Sequence, residues 1–365
     1  MSETGLVPSP DVLPLPAPVP LLHALLLLTF FVHVLFMNGL LGGILLVSWS
    51  RLRARSPSDT HALLAGQLTR LLPILVAGTV TAGVAPLLFL QALYGQFFFT
   101  SSVIMAWPWF LVIPLVILAY YGTYVQAYTG ERPGRGRKTL LLLTALMFAA
   151  VAFLYVNNTT LMLRPDRWAA LYFGAPGGTS LNLGDATVWP RWLHMVLGAV
   201  AVAGLLVAWL GHIRSHSDAV QGAFLHRHGL TVFTWLTTVN ILAGLWFFVA
   251  LRRPVRMLMM GDSGHATGVF LLGIMLAVAA LGLAAGAKLR GSRGSLVVLT
   301  VVAGILLLAM ILLRDVVRAA YLGDLYQPAQ FPLQTQVFNL VLFAVLLAAG
   351  LLTVIWMLRR LRQAW

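Results

Sequence analysis

Nine apolar runs, each near the ~20 residues a helix needs to cross a ~30 Å hydrocarbon core, divide this chain. They cover Leu21–Trp49, Leu71–Leu93, Val103–Ala127, Leu140–Val156, Trp192–Leu210, Leu230–Leu251, Thr267–Ala287, Leu296–Leu313 and Val337–Leu358. Lipid offers no hydrogen-bond partners, so each run must satisfy its backbone internally; the reading is an all-α integral membrane protein of about nine transmembrane helices. Pro108 and Pro114 predict a kink or a late start in the third run. Residues 157–189 read as an extramembrane loop with a surface helix, and no internal repeat is visible. Residues 1–20, proline-rich and without lysine or arginine, read as an extended tail before one polytopic membrane domain, 21–365.

A net charge of +14 first suggests nucleic acid, but the basic residues sit in short connections between apolar runs. That pattern orients a membrane protein instead. One set of connections and the C-terminal tail carries Arg51, Arg53, Arg55, Arg70, Arg132, Arg135, Arg137, Lys138, Arg214, Arg227, Lys288, Arg290, Arg293, Arg359, Arg360 and Arg362. The alternate set holds half as many: Arg164, Arg167, Arg191, Arg252, Arg253, Arg256, Arg314 and Arg318. The richer side is expected to be cytoplasmic, with the N-terminus outside and the C-terminus inside. The chain has no cysteine. Disulfides, thiolate metal sites, iron–sulfur clusters and haem attached through C-x-x-C-H are thereby excluded.

Ionisable and ligating side chains at membrane depth are the functional candidates. The first run carries His23 near its outer end and His33 near its middle, too far apart to share one metal. His194 lies near the outer end of the fifth run, and Met275 about two turns into the seventh. Asp315 and Arg318 stand at i and i+3 where the eighth run ends outside. On the inferred topology His23, His194, Met275, Asp315 and Arg318 share the outer half. His and Met are a known axial pair for low-spin haem iron, and arginines at the membrane surface suit haem propionates, with Arg191, Arg314 and Arg318 at that depth. Other readings stand beside this one. Met275 is equally a packing methionine, Gly198 a helix-contact glycine, His194 a satisfied polar residue, and Asp315–Arg318 a structural ion pair. His61, His212, His216, His226 and His228 fall at or beyond the cytoplasmic edge, and His265 just outside the seventh run.

Three stretches resemble subunit I of the cytochrome bd-type oxidases: "LLLLTFFVHVLFMNGLLGG", "RWLHMVLGAVAVAG" and "VFLLGIMLAVAALG". The resemblance implies nine helices and haems gathered toward the outer face. It gives His33 to the catalytic, oxygen-reducing haem, and His194 and Met275 to a low-spin haem b. "RDVVRAAY" is similar to the segment in which a carboxylate ligates a high-spin haem b and an arginine meets propionates, here Asp315 and Arg318. His23 falls where that family places an arginine, so propionate contact and ligation are both implied for it. Two or three haems b are expected, one of which could be haem d. A second membrane subunit and a multi-pass place in a bacterial cytoplasmic membrane follow, with a role in respiratory electron transport.

Two departures shape the functional expectation. The connection between the sixth and seventh runs is only "RRPVRMLMMGDSGHATG", where that family carries its long quinol loop. The expected electron donor is therefore a periplasmic c-type cytochrome. The third run, "PWFLVIPLVILAYYGTY", has no carboxylate for a cytoplasmic proton route. The reading is a b-type haem redox subunit, either reducing oxygen or passing electrons on. The alternative is a cofactor-free transporter or structural subunit of a larger complex.

Overall fold

A computed structural model describes residues 7–11, 13–56, 58–129, 135–323 and 325–363. Helices follow the apolar runs because an apolar segment long enough to span also closes its own hydrogen bonds. In chain order they are α1 (Val19–Arg53), α2 (Thr60–Met105), α3 (Trp107–Phe110), α4 (Val112–Tyr128), α5 (Arg135–Met162), α6 (Trp168–Gly174), α7 (Val188–Arg214), α8 (Ala219–Ala250), α9 (Arg253–Met257), α10 (Gly264–Arg290), α11 (Arg293–Leu322) and α12 (Val337–Gln363). Among the described residues eight helical segments are long and apolar enough to cross a membrane. The ninth run forms α12, whose apolar part is the shorter stretch Val337–Thr353.

The second and third runs differ most from expectation. α2 continues to Met105, so its 46 residues extend well past one hydrocarbon thickness. It bends at Tyr94, where φ −130° and ψ 27° leave the helical region. The break comes at Ala106, with φ 33°, and the third span then starts late, at Trp107, with Pro108 in its first turn. Proline is tolerated there because the first N–H groups of a helix have no internal partner. Between α5 and α7 the chain forms a 3₁₀ turn over Pro165–Arg167 and the short α6. Asp166 ties this connection to the start of α9 through Arg164 and Arg252. The Arg164 guanidinium beside Asp166 holds its carboxyl below the usual range. Of residues 1–20, Met1–Leu6 and Val12 lie outside the described residues. Leu15 instead forms a parallel bridge to Leu333, so this part of the tail is tied to the α11–α12 connection.

Helices pair as hairpins, α1 with α2, α4 with α5, α7 with α8 and α10 with α11, and α1 lies against α7. The α1–α7 crossing is close: a Cβ on Gly42 would stand 2.0 Å from the Ala199 carbonyl oxygen and 2.8 Å from the Ala203 methyl. Glycine is required there by space. α7 and α8 also pack backbone to backbone, at Gly204, Gly211 and Gly229. Such small-residue contacts are how membrane helices gain dispersion energy where lipid removes the hydrophobic drive.

This packing corrects the expectation of no repeat. The interval from His33 to His194 also separates Gly43 from Gly204, Arg53 from Arg214, Thr79 from Asn240 and Gly83 from Gly244. Gly42 and Ala203 stand at that same interval and face each other across the crossing. The α1–α2 and α7–α8 hairpins thus carry matching positions at one interval, as in a duplicated unit. Identical residues are too few to show this without the contacts.

Gly42→Ala places a methyl against backbone that cannot yield without moving α7. The expected cost is about 1–3 kcal/mol, the range for overpacking. It reads as a lowered midpoint in thermal unfolding of the detergent-solubilised chain. Gly282→Ala, with open space at its Cβ, is the matched control and leaves the midpoint unchanged.

Candidate functional site

His33 on α1 turns its ring toward α2, with Nδ1 3.0 Å from the Thr79 carbonyl oxygen. His194 on α7 does the same toward α8, with Nδ1 3.1 Å from the Asn240 carbonyl oxygen. A carbonyl only accepts, so Nδ1 carries the proton and donates in both. The neutral ring then presents a lone pair at Nε2, and no hydrogen bond occupies Nε2 among the described residues. A ring nitrogen fixed by a backbone carbonyl, with the other left free, is how proteins prepare histidine as an axial ligand. Both rings are half-buried. Gly198, one turn from His194, accommodates Asn240: a Cβ there would lie 3.2 Å from the Asn240 amide nitrogen.

A cationic cluster lies between α1, α7 and α11. Arg318 is buried, 5% exposed, and its guanidinium stacks 4.4 Å above the Tyr94 ring. Arg314 lies 4.4 Å over Phe30, and Arg191 lies 4.9 Å over Phe247. Arg314 is within electrostatic reach of Arg318, Arg191 and Asp315. The Nε atoms of Arg191 and Arg318 are buried without a hydrogen-bond partner. Aromatic faces offset part of the cost of these charges, but a guanidinium with a buried free N–H still favours an anionic acceptor.

Asp315 is the carboxylate of this cluster. Its Oδ1 takes Arg318 and its Oδ2 accepts from His23 Nε2 at 2.8 Å. Of the two roles open for Asp315, the structure displays the ion pair, with both oxygens engaged. His23 is bonded to Asp315. A narrow crevice lined by Leu26, Leu27, Phe30, Ile311, Arg314, Asp315 and Arg318 runs between α1 and α11.

Met275 stands apart. The buried stripe of α10 is Ala266, Val269, Ala277 and Ala280, which leaves Met275 on the opposite face at 61% exposure. The structure brings His23, Asp315, Arg318, Arg314 and Arg191 together, sets His33 beside them through Phe30, and leaves Met275 exposed on α10. The sequence reading missed Thr79 and Asn240 as carbonyl partners, Gly83 and Gly244 beside the rings, and Phe30, Phe247 and Tyr94 as supports for the arginines. The i, i+3 spacing of Asp315 and Arg318 gave a local signal of the cluster. Among the described residues no three His, Cys, Asp or Glu side chains converge on one point. The donor set therefore suits a group that needs one imidazole and anion-binding arginines rather than a caged metal ion.

No family model matches the chain, and no curated protein matches it. Among solved structures, a chain of "The structure of bd oxidase from Geobacillus thermodenitrificans" is similar in fold at a TM-score of 0.72 with 16% identity, covering 95% of this chain and 100% of that chain. The fold is bd-oxidase-like, a multi-pass helical membrane fold.

Asp315→Asn removes the counter-charge of a buried Arg318 and the acceptor of His23. Breaking one side of such a pair costs about 3–5 kcal/mol. The expected outcome is a lower unfolding midpoint in the full chain, with Asp315→Glu recovering part of the loss.

Proposed function

We propose that this chain is a b-type haem-carrying redox subunit of a bd-like membrane complex. The observation that carries the reading is the pair of imidazoles at His33 and His194, each with its tautomer set by a backbone carbonyl and its Nε2 free. The cationic cluster supports it, because two buried guanidinium N–H groups without partners match the carboxylates that a haem brings. The bd-oxidase-like fold supports it independently of any side chain.

Haem, when bound, supplies one-electron redox chemistry and, where an axial position is open, a place for oxygen. The chain's part is to bind and orient. His194 and His33 would hold the haem irons through Nε2. Arg191, Arg314 and Arg318 receive carboxylates, and Asp315 fixes Arg318 while Oδ2 accepts from His23. Arginine stacked on an aromatic ring keeps its fork in one plane, which suits a carboxylate. In the same reading Met275 would hold the iron together with His194; this member of the set rests on the resemblance alone, since its thioether leaves the packed side of α10. Asp315 serves as the anchor of Arg318 rather than as a ligand.

In this reading the N-terminus lies outside a bacterial cytoplasmic membrane and residues 21–365 form one domain. Electrons come from a periplasmic c-type cytochrome and a second membrane subunit completes the complex. The carboxylate-free α4 argues for protons drawn from the outer side or for a subunit that passes electrons on without reducing oxygen.

His194→Ala removes one b-type component from the dithionite-reduced optical spectrum of the purified chain, and His33→Ala removes a different one. Met275→Leu converts the His194 component from low-spin to high-spin if its thioether is the second ligand, and leaves it unchanged otherwise. A purified wild-type chain with no haem absorption would sink the proposal and leave the cofactor-free transporter or structural subunit.

A further inference from the structure

His33 and His194 sit in two copies of one local arrangement. In each, Nδ1 donates to a carbonyl 46 residues further on, carried by the next helix of the hairpin. A glycine follows four residues after that carbonyl, Gly83 after Thr79 and Gly244 after Asn240. In an α-helix the N–H of residue i+4 bonds to the carbonyl of residue i, so ring and glycine share one acceptor. A Cβ on Gly83 would lie 3.0 Å from both Cε1 and Nδ1 of His33. A Cβ on Gly244 would lie 3.1 Å from Cε1 and 3.2 Å from Nδ1 of His194. In both copies the added atom presses on the ring edge that makes the hydrogen bond.

Other helical glycines behave differently. Gly42, Gly204, Gly211 and Gly229 face the backbone of a neighbouring helix, while Gly268 and Gly282 have open space. Among the described glycines only Gly83 and Gly244 face an imidazole, and they do so at equivalent places in the duplicated hairpins.

We infer that Gly83 and Gly244 are positioning residues for His33 and His194. Each lets its imidazole seat against the carbonyl that fixes the tautomer, and so aims Nε2. For the ligand's identity this rests on the haem reading above; for the ring geometry it does not. A donating Nδ1–H raises the basicity of Nε2 and favours the more highly charged ferric state. Displacing the ring by a few tenths of an ångström weakens that bond and raises the reduction potential of the haem concerned.

The experiment is an optical redox titration of the full chain carrying Gly244→Ala, Gly83→Ala or, as control, Gly282→Ala. Gly244→Ala raises the midpoint of the component that His194→Ala abolishes and leaves the His33 component in place. Gly83→Ala does the reverse, and Gly282→Ala moves neither. Gly244→Val, with more bulk at the same edge, loses the His194 component. Unchanged midpoints in both alanine variants, or both components moving together in either one, would overturn the inference. The two glycines are tested independently, so a variant that fails to fold does not remove the test. If the wild-type chain binds no haem, the haem reading fails but ring seating is still read from side-chain ¹⁵N shifts of the histidines. Loss of the hydrogen-bonded Nδ1–H signature of His194 in Gly244→Ala then supports the inference, and an unchanged shift contradicts it.

Discussion

The close crossing of α1 and α7 at Gly42 sets the rest of the geometry. A methyl group there would stand 2.0 Å from a backbone oxygen, so the two helices touch through their main chains. Contact this tight holds one relative placement, since sliding either helix drives a side chain into the other. Each helix carries its own partner, α2 or α8, against its flank. The crossing therefore fixes two hairpins at once and, with them, the depths of His33 and His194. Dispersion between small residues does this where lipid gives apolar side chains no reason to leave it.

On that frame the polar groups divide into two kinds. Asp315, Arg318 and His23 form a closed set in which charge meets charge. Such a set is structural in its own right and fixes α11 against α1. Arg191 and Arg314 form no ion pair among the described residues and rely on the faces of Phe247 and Phe30. Buried charges are costly unless countered, so these two favour an anionic acceptor. The two histidines are of the same open kind. One nitrogen donates to a carbonyl and the other makes no hydrogen bond among the described residues.

Most of the fold was legible in the sequence because its governing signal is long and one-dimensional. Each apolar run became a helix, with the largest shifts where proline and backbone geometry act locally. α2 ran through its predicted end at Leu93 because Tyr94 bends the helix without stopping it. The tie between the tail and the α11–α12 connection escaped because an isolated bridge at Leu15 leaves no periodic trace. The candidate site was legible in part. Charge bias and helix direction place His23, Asp315 and Arg318 at one depth, and the structure joins them. The same reasoning cannot tell which side of a helix packs into the bundle. Met275, expected at the depth of His194, lies off the packed stripe of α10. The carbonyls of Thr79 and Asn240 were invisible for another reason: a backbone acceptor has no residue type to recognise. The hairpin duplication was hidden in a few matching positions and emerged only when Gly42 was seen to face Ala203.

The central claim is that two free imidazole nitrogens and an under-compensated arginine cluster exist to hold haem. It is tested most directly by the haem content of the purified wild-type chain, measured as pyridine haemochrome per mole of protein under conditions that retain cofactor. The account predicts at least two equivalents of b-type haem, one for each histidine. A chain that is folded, shows the helical content described here and carries no haem would contradict it.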